Sequence, residues 1–174
     1  PALESLASRY TLVAVTNGNA KLERIGIDHL FHEVVSARSA GAAKPARTIF
    51  DAAVSAGGAA AHETLHVGDH PEFDVEGARA AGLRAVWVNR NGHEWPGGLE
   101  PPERTIADLR ELDELLAADQ FKEADYFVVS GHLGHVSEAE ATQLCPSRAR
   151  QLGEPVIRIP GQFPRVCDLA GELL

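Results

Sequence analysis

Apolar positions recur along this chain in two different periods. Short continuous runs rich in β-branched residues occupy 11–15, 33–36, 64–67 and 84–88, as expected of strands buried on both faces. Between them the spacing is helical. Leu3, Leu6 and Ala7 share one face of 1–10, Leu22, Ile25 and Leu30 mark a helix over 20–30, and Ile49, Phe50, Ala53 and Val54 give 45–56 an apolar stripe. Pro45 suits the first helical position of that stretch, and Gly57 and Gly58 suit its end. A further helix is expected over 74–81, stopped by Gly82, and another over 105–117 with Ile106, Leu109, Leu112, Leu115 and Leu116. Residues 37–43 and 89–104 read as loops.

Strands alternating with helices predict an α/β fold with a mostly parallel sheet and right-handed crossovers. Ligand sites in such sheets gather beyond the carboxyl ends of the strands, where Thr16 and Asp69 both fall. The pattern is regular over 1–117. Residues 118–174 are read as a C-terminal extension, either a small βαβα-like unit or sequence foreign to the rest of the fold, with strands over 126–130 and 156–159, a helix over 137–152 interrupted at Pro146 and a short helix over 166–174.

Composition narrows the function. At 174 residues with 44% hydrophobic content, the chain can fill the core of one domain. A net charge of -9, with no cluster of Lys or Arg to reverse it locally, argues against a nucleic-acid surface. No apolar run approaches the roughly 18 residues of a membrane span, so a cytoplasmic protein without a membrane partner is expected. Cys145 and Cys167 match no zinc or redox spacing and read as free thiols.

The chemistry concentrates in three segments. In Val67-Gly68-Asp69-His70-Pro71-Glu72-Phe73-Asp74, two carboxylates stand five residues apart at a strand-to-helix turn. Mg²⁺ is a natural partner for Asp69 and Asp74, because it takes one or two carboxylates with waters and phosphate oxygens. Asp74 equally suits a helix N-cap. Thr16 can present a hydroxyl while Asn17 and Gly18 turn amide N–H groups toward an anion, although Asn-Gly is also an ordinary turn. Lys44, held off helical dihedrals by Pro45, can bring an ammonium across a helix start, or lie on the surface. His66 reads as a core residue, His29, His32, His62 and His93 lack partners at metal spacing, and His132 and His135 form a weaker candidate loop site.

In order and spacing these segments resemble the second, third and fourth motifs of the haloacid dehalogenase superfamily of phosphohydrolases, over about 1–117. The branch they most resemble holds small-molecule phosphatases acting on flavin mononucleotide and ribitylaminouracil phosphates. The resemblance implies a Rossmann-like core, Mg²⁺ and a small phosphorylated metabolite as substrate. Thr16 and Asn17 would then bind the phosphoryl group, Lys44 would neutralise it, and Asp69 would ligate Mg²⁺ with Asp74 supporting.

Two family features have no counterpart here. Its nucleophile is the first Asp of an Asp-x-Asp motif ending the first, central strand, and no Asp-x-Asp occurs in this chain. The helical cap that chooses the substrate is also lacking. The abrupt start at Pro1 is therefore read as a core incomplete at its N-terminus, truncated before the nucleophile and inactive alone. A partner or a missing segment is expected to complete it, since neighbouring strands would otherwise be left unpaired. Tyr126-Phe127-Val128-Val129-Ser130 is the candidate within the chain to fill that gap, with Gly131-His132 at the site mouth. The alternatives are a non-catalytic anion-binding or interaction module and a receiver-like phosphoacceptor.

Overall fold

The computed structural model describes residues 2–18, 22–117 and 126–130. Helix α1 (Ala2–Ala7) buries Leu3 and Leu6 and leads into strand β1 (Thr11–Thr16), whose last five residues are all buried. A short helix α2 (Leu22–Ile25) follows, then strand β2 (Glu33–Ser36), helices α3 (Ala37–Ala40) and α4 (Arg47–Gly57), and strand β3 (Thr64–Gly68). A π-helical turn, Pro71–Glu76, runs directly into α5 (Gly77–Ala80). The chain closes this part with β4 (Arg84–Val88), β5 (Arg104–Ile106) and α6 (Glu111–Ala117), and β6 spans Tyr126–Ser130.

The strands form one six-stranded sheet in the order β2-β1-β6-β3-β4-β5, and every neighbouring pair is parallel. Strand β6 therefore takes the central place. It pairs with β1 from Thr11↔Tyr126 to Val15↔Ser130, and with β3 from Thr64↔Tyr126 to Val67↔Val129. The gap expected between the two strands is filled from within the chain, satisfying backbone groups that would otherwise be orphaned in the core. The expected elements over 137–152, 156–159 and 166–174, and the candidates Gly131, His132 and His135, lie outside the described residues.

Alternation along the strands divides the core into two layers. Leu12, Leu65, Val67, Val86, Val88 and Ile106 meet Leu3 and Leu6 of α1 and Leu112 and Leu116 of α6 on one face. On the other, Val13, Val15, Val35, Ala85 and Trp87 meet Ile49, Phe50 and Ala53 of α4, together with Val75, Ala78 and Ala81. Because all strands run the same way, Thr16, Gly68, Val88 and Ser130 end on one edge.

Several expected boundaries move. In place of a helix over 20–30, the described residues give α2 and a 3₁₀ turn, Asp28–Leu30, because Gly26 at φ 70° breaks the spiral between them. The expected loop over 37–43 contains α3, started by the Ser36 hydroxyl accepting the Ser39 N–H at 3.0 Å. Pro45 is not the first helical residue, since α4 begins at Arg47 with Ala46 at its N-cap. The helix expected over 74–81 begins earlier, at Pro71, and in a wider winding. Residues 104–106 pair with β4 as an edge strand, so the last helix is confined to Glu111–Ala117.

Candidate functional site

Four backbone ends at the carboxyl edge set the frame. Thr16 closes β1 and is buried, with its Oγ1 accepting the Gly18 N–H at 3.0 Å. That bond spends the Gly18 N–H, expected to face an anion, inside the turn itself. The Thr16 hydroxyl, an acceptor in that bond, keeps its own proton to donate.

Asn17 does not point its side chain at an anion either. Its Oδ1 accepts the Lys44 N–H at 2.6 Å, and its Nδ2 donates to the Lys44 carbonyl at 3.0 Å. Both polar ends of the amide thus clamp the backbone of a residue 27 positions away. The clamp carries Lys44 inward. Its side chain is 6% exposed, and Nζ donates to Asp74 Oδ1 at 2.5 Å. Lys44 is therefore no surface residue.

Asp74 sits in the π-helical turn rather than at a helix start, where the N-cap is His70, whose Nδ1 accepts the Phe73 N–H at 3.2 Å. Asp74 is 1% exposed, and its carboxylate meets donors from Lys44, His66 and His70 among the described residues. Oδ1 meets Lys44 Nζ and lies 3.4 Å from His66 Nε2, and Oδ2 accepts the His70 N–H at 2.9 Å. Burial pushes this carboxyl up, but the His66 hydrogen bond and the charge and hydrogen bond of Lys44 outweigh it and hold it well below the usual carboxylate range. Gly68 makes room for the arrangement. A methyl group there would collide with the Asp74 side chain, at 2.7 Å from Oδ2.

His66 is fully buried in β3, with its ring at 75° to Phe50 and centroids 5.2 Å apart. It is the packed, hydrogen-bonded core residue expected of its position. Burial pushes its pKa below 6.5, against the opposing pull of Asp74, so the neutral ring donates from Nε2. Its Nδ1 has no partner among the described residues.

Asp69, just past the end of β3, is half-buried. Its carbonyl accepts the Trp87 indole N–H at 2.9 Å, and no bond of its carboxylate is found among the described residues. The carboxylate lost to solvent in the core is thus Asp74, while Asp69 keeps its oxygens available. The contacts form one line, from Asn17 through Lys44 and Asp74 to the peptide joining Asp69 and His70. Thr16 and Asp69 flank it on β1 and β3, with β6 between.

Among the described residues no cluster of three or more His, Cys, Asp or Glu side chains is placed to enclose a metal. The donor set suits a hard cation held by one carboxylate, Asp69, with waters and phosphate supplying the rest. Asp74 is already engaged by Lys44, His66 and the His70 N–H. No described helix is long and apolar enough to cross a membrane.

The roles of His70 and Trp87 escaped the sequence reading. His70 carried a signal, since it precedes a proline at a helix start. Trp87 carried none beyond its place near the end of β4.

Comparison with known proteins agrees with this fold. The haloacid dehalogenase-like hydrolase pattern matches residues 2–88. A phosphoserine phosphatase from Thermus thermophilus is 39% identical over 112 residues, 58% of this chain and 42% of that protein. The pyrimidine 5'-nucleotidase YjjG of Escherichia coli is 35% identical over 120 residues, 66% of this chain and 53% of that protein. Among solved structures, a 2-haloacid dehalogenase from Pseudomonas syringae superposes with a TM-score of 0.65 at 39% identity, covering 68% of this chain and 51% of that one. The chain thus spans about half the length of the curated relatives it matches. On its sheet, its motif spacing and these likenesses together, the chain belongs to the haloacid dehalogenase-like hydrolase family.

Proposed function

We propose that this chain carries the phosphate and metal half of a Mg²⁺-dependent phosphomonoester hydrolase acting on a small phosphorylated metabolite. Relatives that hydrolyse such compounds, among them the phosphoserine phosphatase and a glyceraldehyde 3-phosphate phosphatase, support the substrate class. In this reading the Thr16 hydroxyl and the Asn17 backbone N–H hold the phosphoryl oxygens, and Lys44 offsets their charge. Asp69 ligates Mg²⁺, and Asp74 supports it from behind through the His70 N–H. Bound there, Mg²⁺ would draw charge from the phosphoryl oxygens.

The observation that carries the proposal is the buried Lys44–Asp74 pair suspended between Asn17 and the Asp69–His70 peptide. Burying two charges is costly, and hydrophobic residues of similar volume would serve stability as well or better. An ammonium kept beside a strand-end turn and an available carboxylate suits recognition of a dianion.

The chain contains no Asp-x-Asp motif, and β6, which takes the central strand position, ends on Ser130. The strand gap is filled, but the aspartate nucleophile is not replaced in kind. We therefore expect binding with little or no turnover, and the second reading, a non-catalytic anion-binding module on this core, rests on the same absence. Hydrolysis of p-nitrophenyl phosphate with Mg²⁺ separates them. Robust turnover abolished by Asp69→Asn favours the enzyme, with another residue taking the lost role, whereas phosphate binding without turnover favours the module.

A further inference from the structure

The peptide between Asp69 and His70 is pinned at both ends. On one side its N–H donates to Asp74 Oδ2, and on the other its carbonyl accepts the Trp87 indole N–H, each at 2.9 Å. A peptide unit is rigid and planar, so two such bonds fix its orientation, and with it the direction in which the Asp69 side chain leaves the backbone.

Trp87 is 4% exposed in β4, packed among apolar side chains where a phenylalanine would bury comparable surface. What tryptophan adds is the indole N–H, and that N–H goes to the residue whose carboxylate is kept available. The indole is itself held. Trp95 packs edge-on against it, with centroids 5.0 Å apart and planes at 75°, and anchors its own N–H on the Leu99 carbonyl at 3.2 Å.

Trp95 belongs to the connection between β4 and β5, which is fastened along its length. Asn89 exchanges two bonds with the His93 backbone at 2.8 and 2.9 Å. Arg79 of α5 donates to the carbonyls of Glu100 and Pro101 and pairs with the Glu100 carboxylate. The connection leaves the sheet at the same edge as Asp69, and its route to the site runs through the two indoles.

The geometry points to Trp87 as a positioning residue that aims the Asp69 carboxylate at a divalent cation, with Trp95 linking the 89–103 connection to that aim. The inference rests on the proposed function, because it takes Asp69 as the Mg²⁺ ligand. Partners that orient a metal ligand typically change affinity by about 10- to 100-fold when removed.

Mg²⁺ alone is the probe, titrated calorimetrically into the full chain, into Trp87→Phe and into Asp69→Asn. Binding is expected in the unaltered chain, none in Asp69→Asn, and about 10-fold weaker binding in Trp87→Phe. A second measurement does not depend on that variant folding. The chain has two tryptophans, so its two indole N–H resonances are assigned with Trp95→Phe, and the Trp87 signal is expected to move on Mg²⁺ addition, but not in Asp69→Asn. A purely structural tryptophan would lower the unfolding temperature and leave affinity and signal alone. No Mg²⁺ binding by the unaltered chain overturns the proposed function and this inference with it. Binding lost in Asp69→Asn, but unaltered in Trp87→Phe and without movement of the indole signal, overturns this inference alone.

Discussion

Asn17 grips Lys44 by its backbone, accepting the N–H at 2.6 Å and donating to the carbonyl at 3.0 Å. The turn after β1 is thereby joined to the approach to α4 before any ligand arrives. Replacing Asn17 by Ala leaves two backbone groups without their partners, and a buried unmet group costs about 1–3 kcal/mol. Asn17→Ala is expected to lose stability of that size in urea unfolding and to weaken phosphate binding, although its side chain is directed at Lys44 rather than at the phosphate.

Lys44 and Asp74 should be far more costly to separate than to replace together. Lys44→Met strands a buried carboxylate, for which about 3–5 kcal/mol is the expected loss. The double variant Lys44→Met, Asp74→Leu is expected to regain part of that loss. A double-mutant cycle from urea midpoints measures the coupling.

Gly68→Ala tests the close approach of Asp74 to β3. The added methyl collides with the Asp74 side chain, and forcing extra volume into a packed region costs about 1–3 kcal/mol. The expected result is lower thermal stability together with weaker Mg²⁺ binding, since the carboxylate that holds the His70 N–H must move.

Acid should weaken the fold in two windows. His66 has a folded pKa below 6.5, so the unfolded chain binds the proton first and stability falls as pH drops below about 6.5. Asp74 has a folded pKa below 3.8, and its contribution, present above that value, is lost as pH falls below about 3.8. Each group adds at most about 1.4 kcal/mol per pH unit. Urea midpoints between pH 7 and 5 are expected to fall for the unaltered chain and to flatten in His66→Gln.

Much of the sheet was legible because its strands are buried on both faces and so read as unbroken apolar runs. Strands β2 and β4 have the expected limits, and β1 and β3 differ by one residue at the end. Strand β5 was not legible, since three residues pairing at an edge leave little pattern. Strand β6 reads as an apolar run and as one candidate for the place between β1 and β3, and its pairing with both is what the structure adds. The site was legible in its residue types and obscure in its bonding. A Lys before a Pro reads as surface, and its burial depends on Asn17 and Asp74, which lie 27 and 30 positions away. Likewise the division of labour between Asp69 and Asp74 depends on which one meets Lys44, and spacing alone does not say.

The central claim is that Thr16, Lys44 and Asp69, from three separated segments, serve one metal-bound phosphate. Its most direct test is calorimetric titration of inorganic phosphate in the presence of Mg²⁺, for the unaltered chain and for Thr16→Val, Lys44→Met and Asp69→Asn, each confirmed folded by circular dichroism. Phosphate binding that requires Mg²⁺, and that every one of the three substitutions weakens by about tenfold or more, is the expected result, matching the loss of one hydrogen bond to a charged group. Phosphate bound as tightly by the three folded variants as by the unaltered chain would contradict it.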